Sequence, residues 1–115
     1  MRRILSLLLL FFSFALCAQE IPCSPLKVPQ SFAGSYGELR RDHFHTGLDW
    51  RVGGVVGDTI YAIKSGYVSR LSVSTGGYGN AVYITHPDGT LSLYGHMHDF
   101  VPEFAVLVEE EQYAS

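Results

Sequence analysis

Turn-forming clusters recur about every ten residues in the second half of the sequence, and no other feature constrains the fold as strongly. Ser65-Gly66, Thr75 to Asn80 and Pro87-Asp88-Gly89 separate short runs that are rich in β-branched and aromatic residues. This spacing favours antiparallel strands joined by tight turns and argues against a βαβ fold. The pattern predicts strands over residues 59–63, 67–74, 81–86 and 90–96.

The sequence changes character after Asp99. Pro102 suits the first turn of a helix, Glu103 follows it, and Phe104, Leu107 and Val108 recur at helical spacing. We therefore predict a mainly β fold, an antiparallel sheet domain over residues 32–115 that includes a short helix near its end. Residues 31–42 enter this domain as a loop or an edge strand.

The N-terminus has the three-part layout of a secretory signal peptide. Arg2 and Arg3 form a charged start, Ile4 to Leu16 is almost unbroken apolar sequence, and small residues follow. A membrane-spanning helix needs about 20 apolar residues, so a cleavable signal over residues 1–18 is favoured over an uncleaved anchor. Lipidation is disfavoured, because the residue before Cys17 is large. We expect export to the periplasm, the cell envelope or the medium.

The remaining composition narrows the choice of partners. Without Arg2 and Arg3, six basic residues stand against eleven acidic ones, a net charge of about −5. This balance argues against a nucleic-acid partner, and no later apolar stretch is long enough to cross a membrane. Residues 19–31 carry three prolines and form an extended leader. Cys23 is the only cysteine after the signal, so it has no internal disulfide partner.

Two histidine patterns can carry metal chemistry. His45-Thr-Gly-Leu-Asp49 offers an imidazole and a carboxylate, both good zinc ligands, and Gly47 permits a tight bend between them. On spacing alone, a hydrogen-bonded histidine–aspartate pair at a strand end is the favoured alternative. His96-Met97-His98 places two imidazoles on one face of a strand, which suits a shared metal or an exposed pair equally.

Three further residues have weaker functional signals. His43 lies two residues before His45 and is a candidate to support it, whereas His86 precedes a hairpin turn and is interpreted as structural. Lys64 lies near a turn like those that present the modified lysine of lipoyl and biotinyl carrier domains. The acidic or methionine neighbours of a carrier lysine are absent, so an ordinary exposed lysine is favoured.

Four sequence elements follow one another from about Phe32 onward: Gly37 to Asp49, Gly57 to Ile63 with Gly66 to Val68, Gly77 to His86, and Leu93 to Met97. In the order and spacing of these elements the sequence resembles the M23-type (LytM/lysostaphin-like) zinc metallopeptidases. This resemblance is far more specific than the histidine–aspartate pattern alone.

The resemblance implies an antiparallel β domain of the barrel-sandwich-like type and a zinc-dependent endopeptidase that cuts the peptide cross-links of peptidoglycan. It implies that His45 and Asp49 are Zn²⁺ ligands and that His96 is a catalytic histidine near the metal. Members of the family carry a later Gly-x-His-x-His strand that completes the zinc site, and this sequence has none. His98 is therefore expected only to mimic that motif, the domain to be incomplete at its C-terminus, and its activity to be impaired.

Two alternatives to an active peptidase stay open at this point. One is a catalytically inactive M23-like domain that binds cell-wall peptides or activates another wall hydrolase. The other is a non-enzymatic, carrier-like β domain.

Overall fold

Short antiparallel strands dominate the fold, as predicted. A computed structural model describes residues 20–114, so the predicted signal peptide over residues 1–18 lies outside the described residues. The elements are β1 (Phe32–Gly34), β2 (Asp49–Trp50), β3 (Tyr67–Ser72), β4 (Asn80–Thr85), β5 (Leu91–Met97) and the helix α1 (Pro102–Ala114). Strands β1 and β2 form a small two-stranded sheet, and the other three strands form a second sheet.

The three-stranded sheet has the order β3-β4-β5, and both of its pairings are antiparallel. Val82 of the central strand faces Leu71 on one side and Tyr94 on the other. Strand β4 has a neighbouring strand on each side, and it contributes two buried apolar residues, Ala81 and Val82. Three of the four predicted strands are thus confirmed, with ends that differ from the prediction by one or two residues.

The strand predicted over residues 59–63 is wrong, because this segment forms no regular strand. It does run beside the leader, where the Cys23 N–H donates to the Ile63 carbonyl and the Tyr61 N–H donates to the Pro25 carbonyl, each at 2.8 Å. The reciprocal bonds are missing. Pro25 has no N–H, and the Ile63 N–H donates instead to the Tyr94 hydroxyl at 2.9 Å. Half of the backbone hydrogen bonds that a regular antiparallel strand pair would have between these two segments therefore cannot form.

The leader is bound to the sheet domain at more than this one point. The Glu20 carboxylate accepts hydrogen bonds from the Ser65 N–H and hydroxyl at 2.9–3.1 Å. Leu26 is only 7% exposed, and with Ala81 and Val82 it forms the buried apolar core of the described residues. Residues 20–26 thus fold with the domain although they contain neither helix nor strand.

A chain of polar groups fills the space between the leader-bound segment and the sheet. His86 is buried, and its Nδ1 lies 2.8 Å from the Ser65 carbonyl, which only accepts, so Nδ1 carries the proton. Nε2 then accepts from the Ser92 hydroxyl at 2.9 Å. Ser92 Oγ also lies 2.9 Å from the Tyr94 hydroxyl, and these two hydroxyls are hydrogen-bonded to each other. Tyr94 in turn accepts the Ile63 N–H, and every group in the chain is satisfied.

Helix α1 follows the sheet and confirms the predicted helix. Pro102 begins it, and the N–H groups of Phe104 and Ala105 donate to the Val101 carbonyl. None of its residues is fully buried. No helix within residues 20–114 combines the length and the apolar character that crossing a membrane requires.

Candidate metal and catalytic site

A small hairpin over residues 37–45 leads directly to His45. The Gly37 N–H donates to the His45 carbonyl at 2.7 Å, and the His45 N–H donates to the Glu38 carbonyl at 2.8 Å. Toward the turn, Leu39 pairs with Phe44 in an isolated antiparallel bridge. The backbone of His45 is thus held through both its N–H and its carbonyl.

Asp49 lies at the start of β2, opposite Gly34 of β1. The chain bends at Gly47 between His45 and Asp49, as the sequence predicted. This bend brings His45 Nε2 to 3.1 Å from Asp49 Oδ1. Phe32 of β1 pairs with Trp50 of β2 in the same sheet, and their rings make an edge-to-face contact with 4.7 Å between the ring centroids.

The contact between His45 and Asp49 needs a cation. His45 Nδ1 lies 3.0 Å from the Ser35 carbonyl, which only accepts, so Nδ1 carries a proton. In the neutral imidazole Nε2 then has a lone pair, and it faces a carboxylate oxygen that also has only lone pairs. Either a proton on Nε2 or a metal ion between the two atoms makes this contact favourable.

The geometry of the pair fits zinc. Two ligands of one tetrahedral zinc, each roughly 2.0–2.2 Å from the ion, lie about 3.3–3.6 Å apart. The observed separation of 3.1 Å is slightly shorter than this range, so a small movement of either side chain would admit the ion. Metal-binding histidines also donate their other ring N–H to a carbonyl or carboxylate, as His45 does to Ser35. Within residues 20–114, however, no third histidine, cysteine, aspartate or glutamate joins the pair to form a metal-binding group.

His96 lies near the end of β5 in a strained backbone conformation. Its φ of 56° is in the left-handed region, which costs energy for residues other than glycine and is concentrated at functional sites. The His96 N–H donates to the Tyr78 carbonyl at 2.7 Å, and the imidazole is exposed to solvent.

Tyr78 connects the two halves of the candidate site. Its hydroxyl lies 3.2 Å from the hydroxyl of Thr46, next to His45, while its carbonyl holds the His96 backbone. A Cβ atom at Gly95 would lie 3.3 Å from the Tyr78 side chain, so a glycine there allows the tyrosine to pack closely against β5. The segments that carry His45 and His96 therefore share one neighbour.

The remaining histidines have separate partners. His43 pairs with Asp42 at 2.7 Å and His98 with Asp99 at 2.6 Å, and all four side chains are well exposed. Neither histidine belongs to a metal-binding cluster within the described chain. His86 is buried in the polar chain described above, as its structural interpretation requires.

Lys64 does not have the environment of a carrier lysine. Its ammonium group pairs with Asp88 and donates to the Thr90 hydroxyl at 2.9 Å. The hydrogen bond from Lys64, followed by those from Thr90, holds the pKa of the Asp88 carboxyl well below its usual range. The Lys64 side chain is only 11% exposed, so the expectation of an ordinary exposed lysine was also wrong. The aliphatic part of the Lys64 side chain is largely covered, because its ammonium group contacts Asp88 and Thr90 in the turn after β4.

Sequence reasoning missed the residues that hold the site together. Arg40 contacts Asp49, Ser35 orients His45, and Tyr78 joins the two halves. Arg40 and Tyr78 do lie inside two of the sequence elements that carry the family resemblance. Their position in these elements could have marked Arg40 and Tyr78 as candidate site residues. It could not show which residues they contact.

The comparison with protein families identifies the fold family. The sequence model for peptidase family M23 matches residues 43–113, which is more than half of the chain. The chain belongs to peptidase family M23. Comparisons with curated proteins and with solved structures gave no match. Membership of family M23 supports a metallopeptidase, and a peptidoglycan hydrolase-type function in general, and members of the family are generally zinc-dependent.

Proposed function

We propose that this chain is a zinc-dependent endopeptidase that acts on the peptide cross-links of peptidoglycan. The proposal assigns His45 and Asp49 as zinc ligands and His96 as the catalytic histidine. The observation that carries it is the 3.1 Å contact between His45 Nε2 and Asp49 Oδ1, which a metal ion between the two atoms or a proton on Nε2 makes favourable. The match to family M23 supports the same function.

Each proposed residue has a distinct role. The Ser35 carbonyl holds the proton of His45 on Nδ1, which leaves Nε2 available as a ligand. When bound, zinc supplies Lewis-acid chemistry. The His96 imidazole is exposed on a segment whose backbone is held by Tyr78, so it can meet a bound peptide and move a proton or stabilise developing negative charge.

The proposal also covers location and partners. Peptidoglycan lies outside the cytoplasmic membrane, which agrees with the signal-like layout of the first 18 residues. The acidic balance of the remaining chain does not favour a nucleic-acid partner. We therefore propose wall peptides as the binding partner and the periplasm, envelope or medium as the location.

Zinc binding tests the metal part of this proposal. Zinc titrated into the full chain, followed by isothermal titration calorimetry, is expected to bind and to shift the NMR signals of the His45 imidazole, and His45→Ala or Asp49→Ala is expected to abolish this binding. His43→Ala is the matched control, because His43 lies two residues away and its partner among residues 20–114 is Asp42. Equal zinc affinity in His45→Ala and His43→Ala would show that the pair is not the metal site.

Cleavage tests the catalytic part. Purified peptidoglycan incubated with the chain and zinc is expected to release new amino and carboxyl termini, and a chelator is expected to stop the reaction. His96→Ala is expected to lower the rate and to leave zinc binding at His45 intact. Loss of zinc binding in His96→Ala would assign that residue to the metal instead.

A catalytically inactive M23-like domain is the second candidate. In this role the chain binds wall peptides or activates another wall hydrolase. The observation that favours it is the ligand set of the described residues, which has two members where a catalytic zinc normally has three. Binding to peptidoglycan that is unchanged in His45→Ala, without any cleavage by the parent chain, would support this candidate over the peptidase.

A further inference from the structure

Arg40 lies between two carboxylates beside the candidate metal pair. Its Nη2 is 2.6 Å from Asp49 Oδ2 and 3.4 Å from Glu38 Oε2. The nearer contact has the length of a strong charge-assisted hydrogen bond. It occupies the Asp49 oxygen that does not face His45.

The position of this ion pair depends on the absence of a side chain at Gly34. Gly34 pairs with Asp49 across the two-stranded sheet. A Cβ atom at Gly34 would overlap Arg40 Nη2 and would lie 2.5 Å from Asp49 Oδ2 and 3.0 Å from Glu38 Oε2. The three charged groups therefore meet in the space that the missing side chain of Gly34 leaves open, and an alanine there would displace them.

Holding Arg40 in this space has a cost. Its Nε is buried and has no hydrogen-bond partner among the described residues. A buried donor without a partner is unfavourable, and such a group in a native fold calls for an explanation. The contact that Nη2 makes with Asp49 is the gain that offsets it.

We propose that Arg40 is a positioning residue that sets the orientation of Asp49 for metal binding, an inference that rests on the proposed zinc site. A carboxylate can rotate about its last side-chain bond and exchange its two oxygens. By holding Oδ2, Arg40 leaves Oδ1 directed at His45 Nε2. Glu38 in turn holds Arg40, and its Oε2 also accepts the Ser35 N–H at 3.2 Å, which ties this group to the residue that orients His45.

Competition between Arg40 and a metal for the Asp49 carboxylate would have the opposite effect on metal affinity. If the guanidinium only competed with a metal for the Asp49 carboxylate, removing its charge would tighten metal binding. If it orients the carboxylate, removing it weakens metal binding, by the 10–100-fold that is typical for groups that orient metal ligands.

The experiment measures zinc affinity in the full chain by isothermal titration calorimetry, and the NMR shifts of the His45 imidazole locate the ion in the variants that keep this residue. Arg40→Met keeps the length of the side chain and removes its charge and donors, whereas Arg40→Lys keeps the charge. Gly34→Ala leaves Arg40 intact but displaces the flexible ends of Arg40 and Asp49. Gly76→Ala is the matched control, because a Cβ atom there meets nothing within 4 Å. Cobalt absorption spectra of the same variants report the coordination geometry.

The expected result is a 10–100-fold weaker zinc affinity in Arg40→Met and in Gly34→Ala, partial recovery in Arg40→Lys, no change in Gly76→Ala, and altered cobalt spectra in the weakened variants. If Arg40→Met fails to fold, Gly34→Ala decides. Unchanged or tighter binding in these variants, with binding lost in His45→Ala, overturns the positioning role alone. Unchanged binding in His45→Ala overturns the proposed zinc site and this inference with it.

Discussion

Replacing Tyr94 by phenylalanine removes one hydroxyl from the centre of the buried polar chain. That hydroxyl accepts the Ile63 N–H and lies 2.9 Å from Ser92 Oγ, and both contacts are partly buried. The ring itself keeps its packing in β5. The substitution therefore tests the hydrogen bonds of the chain and not its volume.

The magnitude follows from what each partner loses. The Ile63 N–H is left without an acceptor, at about 1–3 kcal/mol for a buried donor, and the lower half of that range suits a partly buried one. Ser92 keeps its bond to His86 and loses one neutral hydrogen bond, worth about 0.5–1.5 kcal/mol. The expected loss of unfolding free energy is about 2 kcal/mol, which lowers the Tm of a domain of this size by roughly 8–16 °C.

Urea and thermal unfolding followed by circular dichroism measure this loss. Tyr67→Phe is the matched control, because Tyr67 is 66% exposed and its hydroxyl has no hydrogen bond among the described residues. A double variant with Ser92→Ala should destabilise by less than the sum of the two single changes, since both act on one chain. A Tyr94→Phe protein as stable as Tyr67→Phe would show that the polar chain contributes nothing to stability.

Three further predictions follow from the described contacts. Leu26→Ala should destabilise the domain by about 2–3 kcal/mol in urea unfolding, because this leader side chain is buried in the folded chain. Leu39→Ala should change the stability little, because Leu39 is exposed. Equal effects of the two substitutions would mean that the leader is not docked on the domain. Asp88 has a folded-state pKa below its unfolded value because of Lys64, so its stabilising contribution is present above about pH 4 and is lost as the pH falls. The stability gap between the parent chain and Asp88→Asn should therefore narrow below pH 4, and a constant gap down to pH 2 would contradict this. A polypeptide of these 115 residues should cleave wall peptides poorly, and extension by a Gly-x-His-x-His strand should raise zinc-dependent cleavage; equal activity of both forms would mean that another residue supplies the third ligand.

The sequence by itself determined the features that depend on neighbouring residues. Turn clusters such as Pro87-Asp88-Gly89 specify where a strand must end, so β3, β4 and β5 were predictable to within one or two residues. The pairing of His45 with Asp49 was also predictable, because only three residues separate them and Gly47 supplies the bend. Local backbone preferences are sufficient for both.

Only the tertiary structure decided the features that depend on distant partners. Residues 59–63 have a strand-like composition, but their neighbours in the fold are Pro25, which has no N–H, and Tyr94, whose hydroxyl takes the Ile63 N–H. In the same way, the contact of Arg40 with Asp49 occupies space that Gly34 of strand β1 leaves open. A local sequence pattern does not specify which hydrogen-bond donors, acceptors and open spaces lie next to a segment in the folded chain. These tertiary neighbours decide whether residues 59–63 form a strand and which residue contacts Asp49.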